Sequence, residues 1–120
     1  MKILIAEDDE LMLKTLEFRL KKDSHQVIIA RDGREALQMI ENHMPDLVIS
    51  DIMMPYNSGL EIVSEIKEKH NIPIIILSAM GQEDVVLEAF KLGADDFLTK
   101  PFSPNELSVR IRRLSLGVPK

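Results

Sequence analysis

The sequence predicts an α/β fold in which a doubly wound, five-stranded parallel sheet is covered by helices on both faces. Two observations support this prediction. Along the 120 residues, short apolar runs alternate five times with amphipathic stretches, which is typical of parallel strands joined by helices. The composition, 45% hydrophobic and 29% charged, suits one globular domain over residues 1–120 with a buried core.

Five apolar runs are the predicted strands. In chain order they are Lys2–Ala6, Gln26–Ala30, Leu47–Ser50, Ile74–Ser78 and Asp96–Thr99. Pro73 directly precedes the fourth run, where its missing N–H is tolerated. Together with the helices that follow them, these runs give five βα units.

After each run, apolar residues recur three or four positions apart, as on the buried face of a helix. The five sets are Met12, Leu16, Leu20; Leu37, Ile40; Leu60, Val63, Ile66; Val86, Ala89, Phe90; and Leu107, Ile111, Leu114. Gly93 predicts the end of the fourth helix, because glycine accepts the left-handed conformation there. Ser103-Pro104-Asn105-Glu106 predicts a capping box at the start of the last helix. Residues 116–120 are either a frayed end or the start of a linker.

The composition also excludes several classes of function. The chain has no cysteine, so disulfides and thiolate metal sites are excluded. A net charge of -5 argues against direct nucleic-acid binding through phosphates. No apolar run approaches the ~18 residues of a membrane span or forms a secretory signal, so we expect a cytoplasmic protein. We expect His25, His43 and His70 to be surface residues rather than metal ligands.

Polar residues follow four of the predicted strands at their carboxyl ends: Glu7-Asp8-Asp9, Asp51, Ser78 and Lys100. In an open parallel sheet this edge is where ligands bind. With the strand order 2-1-3-4-5, the first and third strands are neighbours about 4.8 Å apart, so Glu7 and Asp8 should lie close to Asp51. Lys100, from the fifth strand, is long enough to point its ammonium group at Asp51.

The charges of this predicted pocket do not balance. Glu7, Asp8 and Asp51 carry three negative charges and Lys100 carries one positive charge, so two negative charges remain. A divalent cation would balance them. Because the available donors are oxygens, Mg²⁺ or Mn²⁺ is favoured over Zn²⁺.

Four segments occur in order at these strand ends: ILIAEDDE, PDLVISDIMMP with Gly59 after it, PIIILSA and GADDFLTKPF. Together they resemble the receiver domain of bacterial two-component response regulators, over essentially the whole chain. The resemblance implies a flavodoxin-like (βα)5 fold, as in chemotaxis regulators, and a role in phosphorelay signalling. It implies a regulatory domain rather than an enzyme, with at most weak self-phosphorylation and self-dephosphorylation.

The resemblance also implies roles for individual residues. Asp51 is the phosphoacceptor, served by a histidine kinase or a phosphotransfer protein, and Lys100 neutralises charge beside it. Asp8 binds Mg²⁺ directly, Glu7 through water, and Met53 through its backbone carbonyl. Glu7 departs from the family pattern, because many relatives carry aspartate at that position.

The resemblance further implies a conformational switch. Ser78 hydrogen-bonds the phosphoryl group, and Phe97 changes rotamer with it, so that the surface of helix four, strand five and helix five changes toward an output domain or protein. A cis peptide between Lys100 and Pro101 is expected by the same analogy.

Two further expectations concern kinetics and partners. Met53 and Met80 stand where polar side chains commonly align the hydrolytic water, so we expect slow self-dephosphorylation. Asp96, Glu106 and Arg110 resemble the ion-pairing positions of a phosphorylation-dependent homodimer, although Val86 stands where a basic residue is expected on helix four.

Three alternatives remain open from the sequence. A haloacid-dehalogenase-like phosphohydrolase also uses an aspartate nucleophile, but it needs a second aspartate two positions after Asp51, where this chain has Met53. A flavodoxin-like FMN carrier shares the fold, but the acids after the first strand would repel phosphate. A pseudo-receiver that serves only as a docking module is the third alternative.

Overall fold

The computed structural model of the protein describes residues 1–56 and 58–117. Strands and helices alternate strictly along the chain. They are β1 (Lys2–Ala6), α1 (Glu10–Lys22), β2 (Gln26–Ala30), α2 (Gly33–His43), β3 (Leu47–Asp51), α3 (Gly59–Lys69), β4 (Ile74–Ser78), α4 (Glu83–Leu92), β5 (Asp96–Thr99) and α5 (Pro104–Gly117). All strands are parallel and lie in the order β2-β1-β3-β4-β5. The predicted fold is confirmed, and β3 is one residue longer than predicted because it includes Asp51.

Two apolar layers sandwich the sheet, because successive residues of a strand point to opposite faces. On one face, Leu4 and Ala6 of β1 pack with α2, α3 and α4. On the other face, Ile3 and Ile5 of the same strand pack with α1 and α5. The central strands are therefore apolar on both sides, which explains why the sequence shows continuous rather than alternating apolar runs.

Four of the residues predicted for buried helix faces are not fully buried: Met12, Leu37 and Leu60 are partly buried and pack against the core, and Phe90 is exposed. Phe90 is 39% exposed and contacts another aromatic ring rather than the core. Met12 is only half-buried, and Leu13 takes the core position in α1. Leu13, Leu16 and Leu20 form the inward stripe of that helix.

The helix ends agree with the predicted signals where the structure describes them. Gly93 ends α4 with a φ of 114°, in the left-handed region that favours glycine. The Ser103 hydroxyl accepts a hydrogen bond from the Glu106 N–H, which is the hydroxyl half of the predicted capping box. The Lys100–Pro101 peptide is cis, as expected. Of the tail predicted as a frayed end or linker, residues 118–120 lie outside the described residues.

None of the helices in residues 1–56 and 58–117 is both long enough and apolar enough to cross a membrane.

Candidate functional site

The residues that follow the strands are held in place by the backbone pairing of the sheet. Beyond the ladder of β1 and β2, the Glu7 N–H donates to the Ala30 carbonyl at 3.0 Å. On the other side, the Ile52 N–H after Asp51 donates to the Leu77 carbonyl at 2.9 Å, and the Lys100 N–H donates to the Ser78 carbonyl at 2.7 Å. The sheet therefore fixes the backbone on which the predicted site side chains stand.

Three of the predicted carboxylates converge at this edge. One oxygen each from Glu7, Asp8 and Asp51 lies within 4.8 Å of the others. Glu7 is fully buried, Asp51 is partly buried and Asp8 is exposed, so the cluster opens to solvent on the Asp8 side. The structure thus brings together the acids that strand order predicted to be neighbours.

Lys100 reaches both Glu7 and Asp51. Its Nζ donates to Glu7 Oε1 at 2.8 Å and to Asp51 Oδ2 at 3.3 Å. The second oxygen of Glu7, Oε2, accepts from the Asp9 N–H at 3.2 Å. The sequence predicted the contact with Asp51, but the shorter contact with Glu7 was missed, because it depends on the burial of that side chain.

The pKa values of Glu7 and Lys100 are both raised, but for different reasons. Burial raises the pKa of Glu7, and the nearby Asp51 charge adds to this, while the hydrogen bonds from Lys100 and Asp9 offset only part of it. Burial alone would lower the pKa of Lys100, but the Glu7 hydrogen bond and the negative charges of Asp51 and Glu7 raise it. Lys100 is therefore held firmly as an ammonium ion.

The donor set fits a hard divalent cation. Three carboxylates and one ammonium group leave two negative charges, and every candidate ligand atom is an oxygen. Within residues 1–56 and 58–117, this is the one cluster of three metal-ligating side chains. The predicted surface histidines lie elsewhere: His25 contacts the Met1 amino group, His70 contacts Glu41, and His43 is exposed.

The two other acids of the AEDDE segment have structural partners. The Asp9 carboxylate caps α1 by accepting from the N–H groups of Leu11 and Met12. Glu10 forms an ion pair with Arg31, which lowers the pKa of Glu10. Both lie outside the cluster.

The loop from β3 to α3 carries Met53 past the cluster. Its side chain is 55% exposed, whereas the neighbouring Met54 packs against the core. The loop closes where the Gly59 N–H donates to the Ile52 carbonyl at 2.9 Å. A Cβ on Gly59 would lie 2.7 Å from Ile52 Cα and 2.8 Å from the Asp51 carbonyl oxygen, so only glycine fits beside Asp51.

An apolar cavity links the two predicted switch residues. Ser78 is 1% exposed at the end of β4, and Phe97 on β5 is 37% exposed. Both line a cavity of about 330 Å³ between α4 and β5. Across its rim, the rings of Phe90 and Phe97 meet edge to face with centroids 5.7 Å apart.

A second cluster of charges lies at the start of β5. Asp96 is 6% exposed, and its carboxylate accepts from Arg110 at 2.6 Å and Arg113 at 2.7 Å, both on α5. Burial alone would raise the pKa of Asp96, but these two hydrogen bonds lower it. Two residues that resemble dimer positions, Asp96 and Arg110, are thus paired within one chain.

Comparison with known proteins gives a consistent result. The family model for the response regulator receiver domain matches residues 3–112. A curated relative, the probable transcriptional regulator ycf27 of Guillardia theta, is 45% identical over 111 residues, which are 92% of this chain and 44% of that protein. Among solved structures, a Francisella response regulator receiver domain is 35% identical, with a TM-score of 0.89 and 98% of both chains covered. DrrB, an OmpR/PhoB homologue from Thermotoga maritima, is 32% identical, with a TM-score of 0.88 over 99% of this chain and 54% of DrrB.

Proposed function

The chain belongs to the response regulator receiver domains of two-component signalling, and from this premise we propose that it accepts a phosphoryl group on Asp51 in a Mg²⁺-dependent reaction. The resemblance seen in the sequence motifs is confirmed, and such domains are regulatory. The observation that carries the proposal is the position of the Asp51 carboxylate, 3.3 Å from the Lys100 ammonium and within 4.8 Å of oxygens from Glu7 and Asp8.

The proposed donor is a phosphohistidine of a histidine kinase or a phosphotransfer protein. One Asp51 oxygen forms a bond to phosphorus while the P–N bond breaks, and the electron pair of that bond remains on the imidazole nitrogen, which takes a proton from water. Because both reactants are anionic, positioning and charge neutralisation dominate the barrier. Lys100, already hydrogen-bonded at this point of the pocket, supplies part of the neutralisation.

The residues proposed to hold the cation follow from the family resemblance and from the hydrogen bonds of Glu7. We assign Asp8 and Asp51 as direct carboxylate ligands and the Met53 carbonyl as a direct backbone ligand. Glu7 acts through water, since its two oxygens already accept from Lys100 and the Asp9 N–H. When bound, Mg²⁺ or Mn²⁺ supplies positive charge to the phosphoryl oxygens.

The proposed output runs through the cavity behind the site. Ser78 donates to the phosphoryl group, and Phe97 turns toward the cavity that both residues line. The inward turn separates Phe97 from Phe90 and changes the surface formed by α4, β5 and α5. New anionic acceptors are a sufficient cause for such a switch.

The wider setting is also a proposal, because the chain spans 44% of the Guillardia theta relative. We infer that the chain acts in the cytoplasm, with a histidine kinase or phosphotransfer protein as donor and an output domain or protein as recipient of the switch. A phosphorylation-dependent homodimer would require Arg110 to exchange its bond with Asp96 of its own chain. Sedimentation of the beryllofluoride-treated domain tests this, and a monomer at high concentration would count against the dimer.

The central test is the intact mass after incubation with acetyl phosphate, with and without Mg²⁺. We expect one phosphoryl adduct that needs Mg²⁺ and is lost in Asp51→Asn. Asp9→Asn is the matched control, because it makes the same chemical change nearby and asparagine also caps helices well; its adduct should persist. An adduct in Asp51→Asn, or none in the parent, would overturn the proposal and favour a docking module.

The lifetime of the adduct tests the two apolar residues near the site. Met53 and Met80 are 55% and 79% exposed and offer no hydrogen bond to align a hydrolytic water. We expect Met53→Asn to lose its phosphoryl group faster than the parent, as followed by the decay of the adduct mass. An unchanged or slower decay would contradict the assignment.

A further inference from the structure

The loop that carries Met53 is attached to the start of α2 by two contacts. The Gly33 N–H, at the first position of α2, donates to the Pro55 carbonyl at 3.2 Å. The Arg34 guanidinium lies over the Tyr56 ring, with Cζ 4.2 Å from the centroid. Consecutive residues of the loop therefore contact consecutive residues of the helix, and we call these two contacts the clasp.

The helix side of the clasp is rigidly built. Asp32 caps α2 by accepting from the Glu35 N–H at 2.8 Å. In return, the Glu35 carboxylate accepts from the Arg31 N–H at 3.0 Å. The first bond satisfies one of the free N–H groups at the helix start, and the second ties the residue before the cap to the same turn, so both hold the backbone from which Arg34 extends.

The loop side of the clasp adopts a conformation that needs support. Tyr56 has a φ of 67°, in the left-handed region that costs a non-glycine residue about 1 kcal/mol or more. The residue is 70% exposed, so core burial does not hold it there. The Arg34 contact and the Pro55 hydrogen bond are the described interactions that oppose this strain.

The clasp lies close to the proposed cation ligands. Pro55 and Tyr56 follow Met53 by two and three residues, and the other end of the loop is closed by Gly59 against Ile52. Together with the clasp, this closure limits the positions that the Met53 carbonyl can take. We propose that Arg34 and Tyr56 are positioning residues, which hold the β3–α3 loop so that the Met53 carbonyl faces the cation at Asp8 and Asp51.

This inference rests on the proposed Mg²⁺ site. The direction in which metal affinity changes when Arg34 is replaced distinguishes a positioning role from a purely electrostatic one. Arg34 is a cation near a site for cations, so removing its charge should tighten metal binding if charge alone matters. Loss of the clasp should weaken binding instead. A cation–π contact at an exposed site corresponds to about a two- to fivefold change in affinity.

The cleanest comparison leaves the charge unchanged. Tyr56→Phe keeps the ring under Arg34, whereas Tyr56→Leu removes it, and both retain an unfavourable φ. With Mn²⁺ as the probe, followed by the electron paramagnetic resonance signal of the free ion, we expect Tyr56→Leu to bind about two- to fivefold more weakly than Tyr56→Phe. Matching far-ultraviolet circular dichroism of the two variants would show that both are folded.

A second comparison uses two arginines. Arg34→Ala and Arg31→Ala remove the same charge at the start of α2, but Arg31 pairs with Glu10 rather than with Tyr56. Arg34→Ala should bind Mn²⁺ more weakly than Arg31→Ala. Equal binding in both comparisons would overturn the positioning role.

Measurements on the parent chain give an independent readout. They also distinguish failure of the proposed metal site from failure of the positioning role alone. Tyr56 is the one tyrosine of the sequence, which has no tryptophan, so the intrinsic fluorescence reports on this ring. Mg²⁺ should change that emission in the parent and leave it unchanged in Asp8→Asn. If the parent shows no Asp8-dependent binding of Mn²⁺, the metal site itself is wrong and the positioning role falls with it.

Discussion

The acidic pocket and the Asp96 cluster each place a buried carboxylate against a cation, but with opposite charge balance. In the pocket, three carboxylates lie together with one ammonium group, that of Lys100, which pairs with Glu7 and Asp51 but not with Asp8. In the cluster, Asp96 alone is bound by two guanidinium groups. The pKa of Glu7 is accordingly raised, chiefly by burial, whereas the arginine hydrogen bonds lower the pKa of Asp96 despite its burial.

The difference shows that burial of a charge does not by itself mark a functional site. Asp96 is surrounded by enough positive charge to be satisfied, so its cluster ties β5 to α5 and needs no ligand. The pocket retains two uncompensated negative charges, which should cost stability in the metal-free chain and supports the proposed cation site. The local ratio of carboxylates to cations, rather than the net charge of -5, distinguishes the two regions.

The largest expected effect comes from disrupting the satisfied cluster. Asp96→Asn should lower the free energy of unfolding at neutral pH by about 2–3 kcal/mol, because the two arginines lose the carboxylate charge and one of its two acceptor oxygens. Since the folded pKa of Asp96 is lowered, its contribution is present at neutral pH and is lost as the pH falls through that folded value. Urea unfolding at pH 7 and at successively lower pH measures both effects.

The control for this variant is Asp84→Asn, which changes an exposed carboxylate in the first turn of α4 and should alter stability by less than about 0.5 kcal/mol. If Asp96→Asn lowered the free energy of unfolding no more than this control, the Asp96 cluster would not stabilise the fold as we infer.

The sequence predicted that the residues of the acidic pocket lie at one edge of the sheet, but not which carboxylate pairs most closely with Lys100. Apolar runs and strand order are properties of periodicity and topology, so Glu7, Asp8, Asp51 and Lys100 could be placed together in advance. The choice of Glu7 as the closer partner of Lys100 depends on fractions of an ångström and on burial, which no spacing reveals.

Other features were missed for similar reasons. The sequence marked Asp96 and Arg110 as ion-pairing positions between two chains, but it did not show that Arg110 and Arg113, 14 and 17 residues after Asp96, pair with it within one chain. Phe90 has the spacing of a core residue, yet it lies at the rim, where it lines the cavity between α4 and β5. The Tyr56 contact requires a positive φ, which residue type alone would not suggest.

A smaller effect is expected from removing the ammonium group of Lys100 from the pocket. Lys100→Met should lower the free energy of unfolding by about 2 kcal/mol at neutral pH, because the fully buried Glu7 loses its charged partner. The raised folded pKa of Glu7 rises further without Lys100, so the loss should be largest at neutral pH and shrink as the pH falls through that value.

The two pH windows sharpen the comparison, and urea unfolding of both variants across one pH series measures them. As the pH falls, the difference in free energy of unfolding between Lys100→Met and the parent should shrink at a pH above the ordinary carboxyl range. The corresponding difference for Asp96→Asn should shrink only below that range. Coincident recovery would show that the charge balance does not separate the two regions. Lys91→Met, on the exposed surface of α4, is the control and should show neither effect.

The smallest expected effect has the opposite sign. Asp8→Asn removes one of the uncompensated charges, so the metal-free chain should gain about 3 °C in Tm. Mg²⁺ should raise the Tm of the parent according to RT ln(1 + [Mg²⁺]/Kd) and leave Asp8→Asn nearly unchanged, so the order of the two proteins should reverse as Mg²⁺ is added. Asp9→Asn, which makes the same charge change at the cap of α1, should follow the parent. If Asp8→Asn lowered the Tm without Mg²⁺, the pocket would be satisfied like the Asp96 cluster, and its excess charge would no longer argue for a cation.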